Sequence, residues 1–215
     1  MEHLPALLCV LLTAVLVWGE ATNRPTVRAV SKTGAATAFI AYALVLGAWQ
    51  GGSAPRWIVV GLCLSMVGDL ALLSRDKRFF LGGLVAFLLA HVAYVGAFVT
   101  LGMSNYALGL ALLPLAGFAY GVHRWLGPHT GELGRPVIAY ILVITAMVAC
   151  SIGALAASPT QARWGLLVAA VLFFFSDLCV ARDRFVAPGW NNRMVGLPLY
   201  FGAQLVFAYF GAAVT

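Results

Sequence analysis

The chain has 215 residues, of which 62% are apolar and only 9% charged, against about 45–50% and about 25% in soluble domains. So few charges cannot cover a water-facing surface, which excludes a soluble globular protein and makes the bilayer the main solvent. The net charge of +6 sits in the connecting segments and points to anionic lipid headgroups rather than nucleic acid.

One crossing takes about 20 apolar residues. The apolar runs predict eight helices, at 4–19, 33–50, 57–74, 79–101, 106–123, 136–157, 164–181 and 194–214. The expected fold is an all-α polytopic membrane protein, a single transmembrane domain over residues 1–215. The runs are too long and continuous for the alternating ten-residue strands of a barrel. Residues 4–18 lack a preceding positive segment and read as a retained first span rather than a signal peptide. Cys9, Cys63, Cys150 and Cys179 stand singly in apolar runs and read as small packing residues. Gly47xxxGly51 and Gly117xxxGly121 read as close-packing devices between helices.

The connecting segments alternate in charge. Those after spans one, three, five and seven hold Arg24, Arg28, Lys32; Arg75, Lys77, Arg78; Arg124, Arg135; and Arg182, Arg184, Arg193. The other three hold only Arg56 and Arg163. By the positive-inside rule the basic segments are cytoplasmic and both termini lie outside. The expected setting is a bacterial inner membrane.

Gly68-Asp69-Leu70, followed by Arg75-Asp76-Lys77-Arg78-Phe79, recurs as Ser176-Asp177-Leu178, followed by Arg182-Asp183-Arg184-Phe185. The copies lie half a chain apart. Two four-span halves of equal orientation, 1–105 and 106–215, would explain this, as would a chance match of short motifs.

Of the seven acidic residues, Glu2, Glu20, Asp76, Glu132 and Asp183 fall at termini or in loops, where water solvates them. Asp69 and Asp177 fall inside spans. An unpaired charge at mid-bilayer costs about 2.5–3.5 kcal/mol on insertion scales, so such residues normally face a polar cavity and mark a function. The bland alternative is that each is salt-bridged to Lys32 or a loop arginine. Their matched depth favours one shared site, opening toward the cytoplasm.

Other polar residues sit near that depth. His91 shares a helix face with Phe87 and Tyr94, either as a hydrogen-bonded core residue or as a site member. Arg193, Tyr200 and Gln204 form one stripe, and Gln204 needs a partner, either another helix or a substrate. Lys32 opens the second span and either snorkels or holds a phosphate. His3, His123 and His129 lie outside the spans, which leaves too few imidazoles for a three-ligand zinc site. No metal or other cofactor is expected.

Together these residues resemble the YhhN/TMEM86 family of lysoplasmalogenases. The matching elements are Lys32, Val67-Gly68-Asp69, Phe87-x-x-Ala90-His91-x-x-Tyr94 and Pro136-Val137 with Tyr140. Phe175-Ser176-Asp177 and Tyr200-x-x-Ala203-Gln204 complete the set. The resemblance runs from about residue 30 to the end. It implies hydrolysis of the vinyl ether bond of lysoplasmalogens to a fatty aldehyde and glycerophosphocholine or glycerophosphoethanolamine. It also implies that Asp69 and Asp177 are catalytic, that Tyr140 and Ser176 belong to the site, and that no metal is required.

That chemistry suits two carboxyls. One protonates the outer alkene carbon; the other, ionised, stabilises the resulting oxocarbenium ion and activates water, as in glycosidases. Phe173, Phe174 and Phe175 favour Asp177 as the drier carboxyl and hence the acid. Lys32 and the loop arginines would hold the phosphate. Two rival readings are an intramembrane aspartyl protease, whose Gly-x-Gly-Asp lacks its first glycine here, and a proton-coupled transporter. No Gly or Pro interruption of the kind a transporter's broken helices need stands beside either aspartate.

Overall fold

The computed structural model describes residues 1–74 and 76–214; the expectations made for Arg75 and Thr215 lie outside them. The described residues form eight α-helices: α1 Leu4–Ala21, α2 Pro25–Val45, α3 Ser53–Ala71, α4 Lys77–Thr100, α5 Asn105–Thr130, α6 Gly134–Ala157, α7 Gln161–Ala181 and α8 Trp190–Ala213. No strand occurs among them.

Local signals set the starts. Pro25 occupies the first turn of α2, where its missing N–H removes nothing. Asp76 caps α4 by accepting from the Arg78 N–H at 2.7 Å, and Ser104 and Thr160 cap α5 and α7. The second helix therefore starts eight residues earlier than the hydropathy predicts. Lys32 lies inside α2, not at its opening, because Arg28 and Lys32 on one face lower the hydropathy without breaking the helix.

Six helical stretches are long and apolar enough to cross a membrane. One of them, Asn105–Ala157, is 53 residues long and joins α5 to α6 through a tight turn. The polarity is that of a protein built for lipid: Leu7, Leu11, Val99, Leu113, Leu142 and Trp164 face outward. Ser65, Asp69, His91, Ser176 and Gln204 are buried.

Packing follows the chain in neighbouring pairs, α1 with α2, α3 with α4, α5 with α6 and α7 with α8. Across these pairs α4 packs on α6, and α8 packs on α1, α2 and α3. The connections after α1, α3, α5 and α7 meet at one end. There Arg193 pairs with Glu20 at 3.0 Å, Lys77 with Glu132 at 2.5 Å, and Arg184 lies 4.1 Å over the Phe80 ring. At the other end Arg163 donates to the carbonyls of Ala154 and Leu101, and Arg56 to that of Trp49. The two arginines that break the charge alternation thus satisfy orphan carbonyls at helix ends.

The two expected glycine packing motifs do not pack. Gly47 is in a turn with φ +81, and a Cβ on Gly117 or Gly121 would meet nothing within 4 Å. Close approach occurs instead on α3, where a Cβ on Gly61 would strike the Tyr94 ring and one on Gly68 the Phe87 ring at 2.6 Å. A spacing of seven residues on both helices seats two α4 aromatics in two α3 notches, and this sets the depth of the neighbouring Asp69.

Candidate active site

A cavity of about 510 Å³ opens among the helices and contains both intramembrane aspartates. Asp69, in the last turn of α3, is 1% exposed. Its Oδ2 accepts from the Tyr200 hydroxyl of α8 at 2.6 Å, and its Oδ1 lies 3.2 Å from the Lys32 ammonium of α2. Every oxygen therefore has a donor, and the charge is matched by one cation.

Asp177, near the end of α7, is built differently. Its Oδ2 accepts from the Tyr140 hydroxyl of α6 at 2.6 Å and faces Nε2 of His91 at 3.3 Å. His91 is held from behind, its Nδ1 being 2.6 Å from the Phe87 carbonyl one turn earlier on α4 and its ring 4.5 Å from that of Phe173. Ser176 donates to the Gly196 carbonyl at 3.0 Å and locks α7 to α8 beside the aspartate.

Lys32, Asp69, Tyr140, Ser176, Asp177, Arg193 and Tyr200 line the one cavity. His91, Tyr94 and Gln204 stand behind this lining. Tyr94 donates to Gln204 Oε1 at 2.7 Å and stacks on Phe207 at 4.1 Å, while the Gln204 amide nitrogen has no partner among the described residues. The helix-to-helix reading of Gln204 holds for its oxygen.

Asp69, not Asp177, is the drier carboxyl. The side chain of Asp177 is 16% exposed, and Phe175 turns outward rather than over it. Three successive aromatics on a helix cannot all face one neighbour, which the sequence run conceals. Among the described residues no group of three His, Cys, Asp or Glu side chains is arranged to hold a metal.

The cavity mouth was not foreseen. Glu20, expected in water, ends α1 with its side chain 10% exposed, bound by Arg28 at 2.7 Å and by Arg193 at 3.0 Å. Asp183 accepts from the Gly189 N–H, from Asn192 and from Arg193, and so fixes the turn between α7 and α8. Arg28 lies one turn before Lys32, so an i, i+4 basic pair on α2 was the available signal. The deeper wall is apolar, formed by Ala119, Val122, Ile141, Ile144 and Phe174. A charged mouth, two carboxyls and an apolar wall share the one cavity, an arrangement fitted to an amphiphile. Both aspartate helices run unbroken past their carboxyls, α3 to Ala71 and α7 to Ala181.

A model of the YhhN family matches residues 27–210. The chain is 33% identical over 157 residues to the bovine "Lysoplasmalogenase TMEM86A", a match covering 70% of this chain and 63% of that protein. It is 33% identical over 156 residues to the Mycobacterium bovis "Lysoplasmalogenase", covering 70% of this chain and 57% of that protein. With the mouse "Lysoplasmalogenase TMEM86B" it shares 35% over 157 residues, covering 72% and 63%. The match thus spans less than two thirds of the length of these relatives. No solved structure matches the chain.

Proposed function

The chain belongs to the YhhN family, and from that premise we propose that it is a lysoplasmalogenase, hydrolysing the vinyl ether bond of a 1-alkenyl glycerophospholipid within the membrane. The observation that carries the reading is the pair of intramembrane aspartates, from separate helices, lining one cavity with an apolar wall and a charged mouth.

All eight helices cross the bilayer in this reading. The 53-residue stretch Asn105–Ala157 exceeds twice the roughly 20 residues of one crossing, and α2 turns Arg28 and Lys32 toward the cavity rather than the lipid. Basic residues gather at the mouth end, which therefore faces the cytoplasm, with both termini outside.

The substrate is a lysoplasmalogen with a choline or ethanolamine headgroup. Its phosphate and amine meet the arginines and acids of the mouth, Arg28, Arg193, Glu20 and Asp183, and its alkenyl chain lies along the wall of α5, α6 and α7. Lys32 is engaged with Asp69 and holds that carboxylate rather than the phosphate. One aspartate delivers a proton to the outer alkene carbon, and the alkene pair becomes the new C–H bond. The oxocarbenium ion left beside the ether oxygen is stabilised by the other, ionised aspartate. Water adds to the carbon bonded to the ether oxygen and returns a proton to the first aspartate. The hemiacetal collapses, its hydroxyl proton passing to the departing glycerol oxygen, and aldehyde and glycerophospho-headgroup leave with no net proton consumed.

The test is aldehyde release from an ethanolamine lysoplasmalogen by the purified chain in detergent. Stoichiometric aldehyde and glycerophosphoethanolamine are expected. Binding or transport of the lipid without bond cleavage would contradict the reading.

A further inference from the structure

Equivalent helices of the two halves serve the two aspartates. Asp69 takes Lys32 from α2, the helix before its own, and Tyr200 from α8 in the other half. Asp177 takes Tyr140 from α6, again the helix before its own, and faces His91 from α4 in the other half. Lys32 and Tyr140 stand as far apart in sequence as the two aspartates do. The fourth helix of each half carries the same pattern, Phe87-x-x-Ala90-His91 and Tyr200-x-x-Ala203-Gln204. On α8 the aromatic hydroxyl reaches the aspartate of the other half, and the amide one turn on stands behind it. On α4 the aromatic has no hydroxyl, and the polar residue itself reaches across.

Resting on the hydrolase reading above, we infer that the site is two half-sites on a common plan whose partners have diverged to divide the labour. Asp69 is a fixed anion. The Asp177–His91 pair holds the proton that the alkene receives, with Asp177 as the catalytic acid and His91 as its positioning residue.

The hydrogen-bonding valences carry this. A carbonyl oxygen only accepts, so the contact of Nδ1 with the Phe87 carbonyl requires a proton on Nδ1. A neutral His91 then presents a bare Nε2 lone pair to Asp177 Oδ2. Two lone pairs facing each other repel, and the Tyr140 hydroxyl cannot relieve them because it already donates to the same oxygen. One proton between ring and carboxyl removes the conflict, whichever atom carries it. Asp69 has no such vacancy, since Lys32 and Tyr200 supply a donor to each oxygen and one positive charge.

Position agrees with this division. Asp177 lines the cavity, whereas His91 is fully buried behind it, between the rings of Phe173 and Tyr140. The titratable groups facing His91 are Asp177 from α7 and Tyr140 from α6. Asp69 from α3 and Tyr200 from α8 are bonded to each other. When Asp177 gives its proton to carbon, the carboxylate left behind is stabilised by Tyr140. The proton returned by the attacking water restores the one shared between Asp177 and His91 and closes the cycle.

The experiment measures aldehyde release against pH for the parent chain in detergent and for His91→Gln, His91→Gly and Lys32→Met. His91→Gln is expected to lower kcat about 100-fold or more with little change in KM, and to displace the limb of the pH profile that reports the acid. Added imidazole should restore His91→Gly by about tenfold or more, because it can fill the space left by the deleted side chain and supply the same ring nitrogens. Lys32→Met should lose turnover, keep the parent's pH limb and gain nothing from imidazole. Nitrogen-15 NMR of the parent's histidines supplies a readout independent of turnover, and the neutral His91 ring should carry its proton on Nδ1. A parent that releases no aldehyde would overturn the hydrolase reading. An active parent would overturn the division of labour alone if His91→Gln kept its kcat and pH profile, if imidazole rescued Lys32→Met equally, or if the neutral His91 ring carried its proton on Nε2.

Discussion

Tyr200 reaches across from α8 and donates a 2.6 Å hydrogen bond to Oδ2 of Asp69 on α3. Its ring is wedged edge-on against Phe87 at 5.7 Å and Phe173 at 5.4 Å, so the hydroxyl is aimed by packing on both sides. Tyr200→Phe keeps that packing and removes only the donor. A hydrogen bond to a charged group contributes about 1.5–3 kcal/mol, and each 1.4 kcal/mol is roughly a factor of ten in rate. Turnover should therefore fall about 10–100-fold, with a modest drop in thermal midpoint, read by aldehyde release and unfolding in detergent. Parental turnover in this variant would take Tyr200 out of the site.

Gly68 precedes Asp69 because the Phe87 ring occupies the space of its side chain, and an added Cβ would come within 2.6 Å of it. Gly68→Ala should destabilise the protein by about 1–3 kcal/mol, the usual range for overpacking, and should lower turnover by displacing Asp69. Gly121→Ala meets open space and should leave both unchanged. Equal thermal midpoints for these two variants would contradict the α3–α4 packing described here.

Much of this was legible in the sequence because lipid imposes simple rules. Continuous apolar runs gave the helices, and a carboxyl inside such a run had to be functional or paired, which singled out Asp69 and Asp177. Burial order was not legible, because it depends on which of Phe173, Phe174 and Phe175 faces inward, and only Phe173 and Phe174 do. Nor was the mouth, because Glu20 lies beside a loop in sequence yet is enclosed by Arg28 and Arg193 in space. Gly47 and Gly117 fit a packing motif by spacing, but spacing does not say whether a helix continues or which way it faces.

Arg193 bridges Glu20 and Asp183 at the mouth and is half exposed. Arg193→Gln should raise KM about 5–10-fold and leave kcat within about twofold, the mark of an interaction equal in ground and transition states. Steady-state kinetics on the ethanolamine lysoplasmalogen check this. A fall in kcat with unchanged KM would place Arg193 in the chemistry instead.

Orientation is tested by labelling single cysteines, introduced into a cysteine-free parent, with an impermeant thiol reagent on intact cells. Cysteines in the mouth-end segments at 77–78 and 182–189 should be shielded until the cells are opened, and one in the segment at 158–160 should label from outside. The reverse pattern would turn the cavity mouth away from the cytoplasm.

The central claim is that two carboxyls from different helices act as one catalytic unit, and the double-mutant cycle of Asp69→Asn and Asp177→Asn tests it most directly. Each asparagine keeps size and part of the hydrogen bonding while removing the charge and the transferable proton. Each single variant is expected to insert normally and to lose turnover by about 10³-fold or more, and the double variant to be little worse than either, since groups acting as a unit are strongly non-additive. The contradicting result is clear: variants that unfold more readily yet still release aldehyde, or single losses that multiply in the double variant, would make the aspartates structural partners or independent contributors.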